Sequence, residues 1–269
     1  MLVSAVQMDV RTRDLEGNID RAYRHVREAV RRGSQLVLLP EMWSVGFAYP
    51  DLEEVARATF EPALRFMTAT AKEGKIWLVG SIPEPTPEGL YNTLFWCSPA
   101  GEVAGRYRKI HLFSPGREDE FFVSGDTLTP VRTDWAVTGG LICFDIRFPE
   151  MARKLALEGA SLLLVAAQFP HPRVAHWETL LKARAIENQV WVVASNRVGQ
   201  SGEWEYFGYS MIVDPWGEIV AAETAEKEAV VTERIDFEAI HRVRSLIPCR
   251  RRPDLYGDLE PGERAGGHD

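Results

Sequence analysis

Along the chain, segments with the hydrophobic pattern of β-strands alternate with segments that have the hydrophobic pattern of helices. Apolar runs of strand length, such as LVSAVQM at 2–8 and QLVLLP at 35–40, are separated by stretches in which apolar residues recur every three or four positions. The first of these stretches covers 17–32 and stops at Gly33, a residue type that favours helix ends. Strand-length runs that alternate with amphipathic helical stretches are typical of α/β proteins.

The same pattern continues to the C-terminal end. Up to residue 144 it predicts a helix over 61–74, a strand at KIWLVGSI, a hairpin that turns at 99–101, and a strand over 135–144. A helix at RFPEMARKLALEGA follows, and then the strands SLLLVAA and VWVVASN on either side of a helix over 173–189. The pattern ends with antiparallel strands over 206–234 and a short helix at DFEAIHRVRSLI. The stretch 111–128 is irregular and long for a connection, which favours a functional loop. Because no repeat or linker interrupts the pattern, we expect one domain over residues 1–269 with a C-terminal arm at about 245–269.

Composition narrows the classes of function. The chain has 269 residues and a net charge of −8, which argues against a general nucleic-acid partner because such proteins need a basic face. The start lacks a signal-peptide pattern, and no apolar run is long enough to span a membrane. The three cysteines, Cys97, Cys143 and Cys249, are far apart and form no CxxC or zinc-spaced cluster. We therefore expect a cytoplasmic protein with neither a disulfide framework nor a structural metal.

Three reactive side chains share one position relative to the predicted strands. Glu41 follows QLVLLP, Lys109 follows EVAGRYR, and Cys143 ends GGLIC. Sites in α/β sheets form at the carboxyl ends of strands, so these side chains can converge. Each also has an ordinary interpretation: a buried small hydrophobe for the cysteine, a helix-start carboxylate for the glutamate and a solvated charge for the lysine.

The chemistry of a thiol explains why these three types would occur together. A free thiol has a pKa of about 8.5, so at neutral pH it needs a base or a nearby cation to become a nucleophile. Glu41 can accept the thiol proton and later activate water, while Lys109 stabilises the thiolate and a developing oxyanion. The turn after Cys143 also offers the backbone N–H of Phe144 to that oxyanion.

The segments around these residues resemble the signatures of the nitrilase (carbon–nitrogen hydrolase) superfamily. LLPEMWSVGF, YRKIHLF and GGLICFDIRFPE match the glutamate, lysine and cysteine signatures in the family's order, and agreement extends from AVQMD near the start to RRPDLY at 251–256. The resemblance implies a four-layer αββα sandwich, a Glu41–Lys109–Cys143 triad and usually a dimer or larger assembly. We expect a homodimer, with the segment 245–260 docking on its neighbour. The resemblance also implies amide hydrolysis through a thioester without a metal or organic cofactor.

Many members of this superfamily carry a second glutamate between the lysine and the cysteine, followed seven residues later by glycine. In GREDEFFVSG this spacing selects Glu118, with Gly125, over Glu120. The alternative is that this acidic segment is simply a solvated loop.

Within the superfamily, the segments EMWSVGFA, CFDIRFPE and QFPHPRVAHWETLLKARAIENQ most resemble those of ω-amidases, which hydrolyse the terminal amide of 2-oxo acids such as 2-oxoglutaramate. A substrate of this kind is a short acid, and the segments near the predicted site offer a matching pocket. The expected substrate-binding residues are Trp43, Phe47, Phe169, Arg173 and Trp177. The planar guanidinium of Arg173 suits a carboxylate, although it could instead cap or solvate the following helix.

Other functions remain open from the sequence. Another activity of the superfamily, such as that of a nitrilase or an N-carbamoyl amidase, would use the same three residues. A papain-like hydrolase would need His111 or His176 as its base, although His176 is interpreted first as a capping or packing residue. A catalytically silent interaction module is the alternative from a different class. Arg147 and Glu150 are expected to brace the cysteine turn by ion pairing.

Overall fold

A computed structural model describes residues 1–256, which contain fourteen strands and seven α-helices. The strands are β1 (Leu2–Gln7), β2 (Leu36–Leu38), β3 (Trp77–Thr86), β4 (Gly89–Cys97), β5 (Val103–Arg108), β6 (Val131–Arg132), β7 (Val137–Ile142), β8 (Leu162–Ala167), β9 (Trp191–Asn196), β10 (Val198–Ser201), β11 (Trp204–Phe207), β12 (Met211–Val213), β13 (Ile219–Ala222) and β14 (Ala229–Arg234). The helices are α1 (Leu15–Arg31), α2 (Leu52–Gly74), α3 (Glu118–Phe121), α4 (Pro149–Leu157), α5 (Val174–Asn188), α6 (Glu238–Leu246) and α7 (Pro253–Tyr256).

The strands form two six-stranded sheets and one small hairpin. The first sheet has the order β14-β1-β2-β3-β4-β5, and the second has the order β13-β12-β9-β8-β7-β6. Strands β1, β2 and β3 are parallel to one another, as are β7, β8 and β9. The hairpin of β10 and β11 belongs to neither of the two large sheets. The sequence pattern did not distinguish these two strands from the strands before and after them.

Alternation along β2 explains how the layers pack. Leu36 and Leu38 belong to the core between the two sheets, whereas Val37 and Leu39 belong to the core beneath the outer helices. Successive side chains of a strand point to opposite faces of the sheet. A strand that is apolar at every position is therefore buried on both faces. Each fully buried side chain of this kind contributes roughly 2 kcal/mol of transfer free energy.

The outer layers are helical. Helices α1 and α2 pack on the first sheet through residues such as Val26 and Met67, and α4 and α5 cover the second sheet through residues such as Leu155 and Leu181. The order helix, sheet, sheet, helix is the four-layer αββα sandwich that the sequence predicts.

Helix α2 begins earlier than expected. The sequence predicts a start near 61, but the helix already begins at Leu52 and contains Pro62 in its interior. Proline usually occurs in the first turn of a helix and costs about 3 kcal/mol in the interior. The turns before it are retained because Leu52 and Ala56 are buried in a cluster with Met42.

The remaining expectations concern the irregular segment and the end of the chain. The segment 111–128 contains a short 3₁₀ turn, Ser114–Gly116, and the single-turn helix α3. The predicted arm at 245–269 is described as far as α7, and its residues 257–269 lie outside the described part of the chain. No helix within residues 1–256 is long and apolar enough to cross a bilayer.

Candidate active site

Glu41 and Lys109 meet at the ends of two strands of the first sheet. Glu41 lies just beyond β2 and Lys109 directly follows β5. The Nζ atom of Lys109 lies 2.8 Å from Oε1 of Glu41, and neither side chain has appreciable exposure to solvent. The alternative interpretation of Lys109 as a solvated charge is therefore wrong, because its ammonium is enclosed with a carboxylate partner.

Glu118 is the second carboxylate of this cluster. Its Oε1 accepts a hydrogen bond of 2.7 Å from Lys109 Nζ, and its Oε2 accepts one of 2.9 Å from the backbone N–H of Phe113. Glu120 lies on the exposed side of α3 and pairs with Arg117. The structure thus brings Glu118, and not Glu120, to Lys109.

Cys143 lies where β7 ends and a 3₁₀ turn, Cys143–Arg147, begins. Its thiol lines the same cavity as Glu41 and Glu118. Its φ of 45° is in the left-handed region, which is uncommon for a residue with a Cβ and is concentrated at functional turns. Phe144 follows in the turn, and its side chain also lines the cavity.

Left-handed backbone also occurs beside the two glutamates. Met42, next to Glu41, has a φ of 46°, and Arg117, next to Glu118, has a φ of 62°. Such conformations cost of order 1–3 kcal/mol each and persist where surrounding structure imposes them. A left-handed residue thus lies at or next to each of Glu41, Glu118 and Cys143, which all line the cavity.

Electrostatics in the cluster keep the resting thiol protonated. Burial raises the pKa of the Cys143 thiol, and the carboxylates of Glu41 and Glu118 raise it further. Lys109 and a hydrogen bond from the backbone of Gln168 act in the opposite direction but do not compensate. A thiol of this kind needs a base that accepts its proton during attack.

The ammonium of Lys109 stays charged despite its burial. Burial alone lowers the pKa of Lys109, but the nearby carboxylates of Glu118 and Glu41 outweigh this and raise the pKa well above its ordinary value. Glu118 responds differently: burial raises its pKa to about 7, against the opposing effect of Lys109. The cluster thus combines one firmly held cation with a carboxyl group that titrates near neutrality.

Two residues that the sequence analysis missed hold Glu41 in place. The side-chain amide of Asn92 donates to Glu41 Oε1 at 2.8 Å, and the backbone N–H of Gln168 donates to Oε2 at 2.9 Å. The side-chain amide of Gln168 also donates to the backbone carbonyl of Glu41 at 2.8 Å. The signal available in the sequence was a polar residue within or directly after an apolar strand, as in YNTLFWC and LLLVAAQ.

Asp145 braces the cysteine turn from within. Its carboxylate is fully buried and accepts hydrogen bonds from the hydroxyl of Tyr107 at 2.7 Å and from the backbone N–H of Ile142 at 2.9 Å. It also accepts one from the backbone N–H of His111. One carboxylate thus ties the Lys109 segment to the Cys143 segment.

The cavity beside the cluster has a volume of about 450 Å³, which suits a small molecule. Its wall is largely aromatic, with guanidinium groups among the rings. The residues that define its character are Phe47, Tyr49, Phe113, Phe144, Arg147, Phe169, Arg173, Trp204 and Tyr206. Phe47 and Phe169 therefore lie where the sequence analysis expected them.

Arg173 lies at the start of α5 but makes no capping hydrogen bond with its side chain. Its guanidinium lies 5.5 Å from the ring centroid of Phe113 and 5.3 Å from a ring centroid of Trp204. One of its terminal nitrogens, Nη1, is buried without a hydrogen-bond partner among the described residues. A buried, unpaired donor at the cavity wall can bind an anionic group of a ligand.

Arg147 does not brace the turn in the expected way. It lines the cavity, and its guanidinium lies 5.8 Å from the ring of Phe144 and 5.4 Å from that of Phe169. Its Nη2 lies 3.3 Å from Nδ1 of His176, and not in an ion pair with Glu150. Burial lowers the pKa of Arg147, which reflects a guanidinium drawn in among apolar rings.

Trp43 does not line the cavity. It is fully buried beneath the outer helices, where its ring lies 5.3 Å from that of Phe66 and leaves no room for a Cβ at position 80. Because the left-handed Met42 redirects the chain after Glu41, Trp43 points into the helix-facing core. The expectation that it forms a substrate wall is corrected accordingly.

Trp177 is also absent from the cavity wall. It is fully buried, its ring lies 5.3 Å from that of Phe169, and its Nε1 donates to the carbonyl of Tyr209 at 2.8 Å. It therefore supports the wall residue Phe169 from behind and has no surface for a ligand.

The histidines do not support a papain-like site. His111 stacks on Phe148, with its Nδ1 at 3.1 Å from Asp145, and His176 lies beside Arg147. No histidine is among the described residues that line the cavity. The same residues 1–256 contain no group of three His, Cys, Asp or Glu side chains arranged to hold a metal ion.

A buried Glu–Lys–Glu cluster beside a strand-end cysteine, held between two stacked sheets, defines a class of thiol hydrolases. Residues 2–245 match the family model described as carbon-nitrogen hydrolase. The chain therefore belongs to the carbon–nitrogen hydrolase family, and it is an amidohydrolase.

Individual relatives agree with this assignment. The chain is 36% identical to a 2-oxoglutaramate amidase of Bacillus subtilis (strain 168), over 94% of this chain and 98% of that protein. It is 37% identical to omega-amidase NIT2 of Xenopus tropicalis, over 89% and 91% of the two chains. Among solved structures it resembles Saccharomyces cerevisiae Nit3, a member of branch 10 of the nitrilase superfamily, with a TM-score of 0.86, 29% identity and coverage of 94% and 96%.

Proposed function

We propose that the protein hydrolyses the terminal amide of a short 2-oxo acid, of the 2-oxoglutaramate type, through a thioester on Cys143. The observation that carries the chemistry is the buried Glu41–Lys109–Glu118 cluster in contact with the cavity that holds the thiol. The names of the two curated relatives support the substrate class.

In the first half-reaction the Cys143 sulfur attacks the amide carbonyl carbon while Glu41 accepts the thiol proton. The protonated thiol of the resting site and the fixed carboxylate of Glu41 support this assignment. Lys109 uses two of its three N–H groups on the glutamates, and the third can stabilise the oxyanion together with the backbone N–H of Phe144. Glu41 then returns the proton to nitrogen, the C–N bond breaks, and ammonia leaves a thioester behind.

In the second half-reaction water attacks the thioester. Glu41 accepts a proton from the water, the carbon–sulfur bond breaks, and the proton returns to the Cys143 sulfur as the acid is released. Glu118 stays hydrogen-bonded to Lys109 and the backbone of Phe113, so it is suited to holding the ammonium in position rather than to attacking.

Two arginines in the cavity wall support an anionic substrate. Arg173 presents a buried nitrogen without a partner in the described chain, and Arg147 lines the same cavity. Guanidinium groups bind carboxylates by charge-assisted hydrogen bonds that roughly double the strength of neutral ones. Phe47 and Phe169 supply apolar walls for the short carbon chain between the acid and the amide.

Ammonia release tests this proposal directly. The purified protein is assayed with the ω-amide of a 2-oxo dicarboxylic acid, the matching amino-acid amide, a carbamoyl amino acid and a nitrile of equal length. We expect the highest kcat/KM for the 2-oxo ω-amide and a mass increase on Cys143 equal to the acyl group after rapid acid quench. A preference for the nitrile or the carbamoyl compound would reject the ω-amidase assignment.

We also propose that the enzyme is a cytoplasmic homodimer. Leu157 of α4 and Ile186 of α5 are each about half exposed. Trp216 is exposed to a similar degree, and its neighbour Gly217 lies against Ile186. Symmetric dimers are the commonest way to cover such apolar surface. Light scattering at micromolar concentration should give twice the chain mass, and a monomeric mass would reject the proposal. The three free cysteines are consistent with a reducing compartment.

A further inference from the structure

A second buried cation lies behind the general base, outside the cluster already described. Arg197 follows β9 and is fully buried. Its Nη1 donates to the side-chain oxygen of Gln168 at 3.1 Å, its Nη2 to Oδ1 of Asp9 at 3.0 Å, and its Nε to the backbone carbonyl of Val198 at 3.1 Å. The ring centroid of Tyr206, a cavity wall residue, lies 4.3 Å from the guanidinium carbon.

Arg197 fixes which way the amide of Gln168 points. A guanidinium carries only donors, so the side-chain oxygen of Gln168 must face Arg197 and the nitrogen must face the other way. That nitrogen donates to the backbone carbonyl of Glu41 at 2.8 Å. The backbone N–H of Gln168 donates to the Glu41 carboxylate at 2.9 Å. Gln168 therefore holds Glu41 at both its backbone and its carboxylate.

We propose that Arg197 is a positioning residue that acts through Gln168 to hold Glu41 in the orientation needed to take the proton of Cys143. This inference rests on the proposed role of Glu41 as the general base. Without the guanidinium, the side-chain oxygen of Gln168 loses its buried donor, and the amide is held only by its hydrogen bond to the carbonyl of Glu41. The Gln168 side chain is then free to move toward another donor, which loosens its hold on the chain after β2 and on the carboxylate of Glu41.

The surroundings of Arg197 restrict its own movement. Asp9 accepts from the second terminal nitrogen of the guanidinium, and Gly199 lies against the Asp9 carboxylate. Gly199 has a φ of 88°, and a Cβ there would lie 2.3 Å from Asp9 Oδ1. Position 199 therefore requires glycine for two reasons: its backbone has a positive φ, and a side chain there would displace Asp9.

The experiment compares Arg197→Met, Gln168→Met and the double variant in the full-length enzyme. Each is measured by steady-state kinetics and by the rate at which iodoacetamide alkylates Cys143 between pH 6 and 9. We expect each single variant to lower kcat by roughly 10- to 100-fold, since a displacement of about 1 Å at a catalytic group has effects of this size. For Arg197→Met, KM should change by less than about 3-fold, because Arg197 does not line the cavity. Gln168 does line it, so for Gln168→Met only kcat and the alkylation rate are compared. The double variant should be no slower than the slower single variant.

The control is Arg21→Met on α1, a largely buried arginine that pairs with Asp14 and does not line the cavity. It should keep full activity. Alkylation of Cys143 should fall on substitution of Arg197 in the wild-type background but not in the Glu41→Gln background, where no base remains to be positioned. A merely structural role would slow alkylation equally in both.

The outcomes separate this inference from the proposed function. If Glu41→Gln keeps its turnover, the assignment of the base is wrong and the proposed mechanism fails with it. If Glu41→Gln is inactive while folded Arg197→Met and Gln168→Met both turn over within 2-fold of wild type, only the positioning role is overturned. Should Arg197→Met fail to fold, Gln168→Met decides alone, because it keeps the backbone N–H to Glu41 and all contacts of Asp9.

Discussion

Lys109 and Glu118 form an ion pair with 2.7 Å between Nζ and Oε1, and solvent reaches almost none of either side chain. The ammonium is shared, because Glu41 also accepts a hydrogen bond from it. Two buried carboxylates and one cation leave a surplus negative charge in a region of low polarity. A proton on one carboxyl group removes that charge, and Glu118, with its pKa raised to about 7, is the group that binds it.

The first prediction concerns the pH dependence of stability. The folded pKa of Glu118 lies above its ordinary value of 4.5, so its contribution to stability is fully present below about pH 4.5 and is lost as the pH rises through 7. Glu118→Gln mimics the protonated form and does not titrate. We therefore expect the variant to gain stability relative to wild type between pH 4.5 and 8, by at most about 3.5 kcal/mol at about 1.4 kcal/mol per pKa unit.

Urea denaturation at several pH values measures this difference. Glu120→Gln is the matched control, because Glu120 is two residues away in the same short helix but is exposed. The control should show no comparable rise. A difference between Glu118→Gln and wild type that stays flat over this pH range would contradict the raised pKa.

The second prediction separates the three cysteines. Cys143→Ala should abolish turnover and leave the fold intact, because only the sulfur at the cavity is removed. Cys97 is buried in the core, where burial raises the pKa of its thiol to about 12, and Cys249 is exposed. Both alanine variants at those positions should stay active, with a cost of about 1 kcal/mol in stability for Cys97→Ala. Ammonia release and thermal unfolding check this, and appreciable activity of Cys143→Ala would exclude a covalent mechanism.

Much of the fold and the cluster could be predicted because the signals were local. Glu41 and Lys109 each follow a strand of the first sheet, and strands that run the same way end at a common edge. Cys143 ends a strand of the second sheet, so its approach to the other two was predicted by the family resemblance. The two-sided burial of β2 was likewise visible as an uninterrupted apolar run.

The cavity wall was harder to predict because it depends on the direction of the chain after each strand. Trp43 lies two residues beyond Glu41, yet the left-handed backbone at Met42 turns its ring into the helix-facing core. Conversely, Arg147 lines the cavity because the cysteine turn directs it inward. A left-handed φ at a Met or Cys is hard to recognise from the sequence, because these residue types do not mark such positions as Gly does.

The third prediction concerns the cooperation of the cluster. Glu41→Gln and Lys109→Met should each lower kcat/KM by at least about 10³-fold, because groups that act as one unit lose most of their effect when one is removed. Combining either with Cys143→Ser should add little further loss. Single-turnover rates on the preferred amide measure this. Penalties that multiply would show that these groups do not act on the same step.

Lys109→Met has a second expected effect, on stability. It leaves Glu41 and Glu118 buried without their cation, so at neutral pH the variant should take up a proton or lose several kcal/mol of stability. Lys109→Met combined with Glu118→Gln should recover stability but not activity. Recovery of both would mean that the ammonium serves only to neutralise the carboxylates.

The fourth prediction tests the substrate through Arg173. Its Nη1 is buried without a partner within the described residues, while its guanidinium is held between Phe113 and Trp204. A carboxylate on the substrate would satisfy that donor with a charge-assisted hydrogen bond worth about 1.5–3 kcal/mol. Arg173→Met should therefore raise KM for an anionic 2-oxo ω-amide by roughly 10- to 100-fold, and much less for a neutral amide of equal length.

Arg173→Lys and Arg147→Met complete that comparison. Lysine keeps the charge but loses the planar fork, so it should recover part of the affinity for the anionic amide. Arg147→Met tests whether the second guanidinium of the cavity binds the same carboxylate. If it does, the effects of Arg147→Met and Arg173→Met on KM should be non-additive in the double variant. If Arg173→Met raises KM equally for the charged and the neutral amide, Arg173 only shapes the cavity, and the acid must be bound elsewhere along the wall.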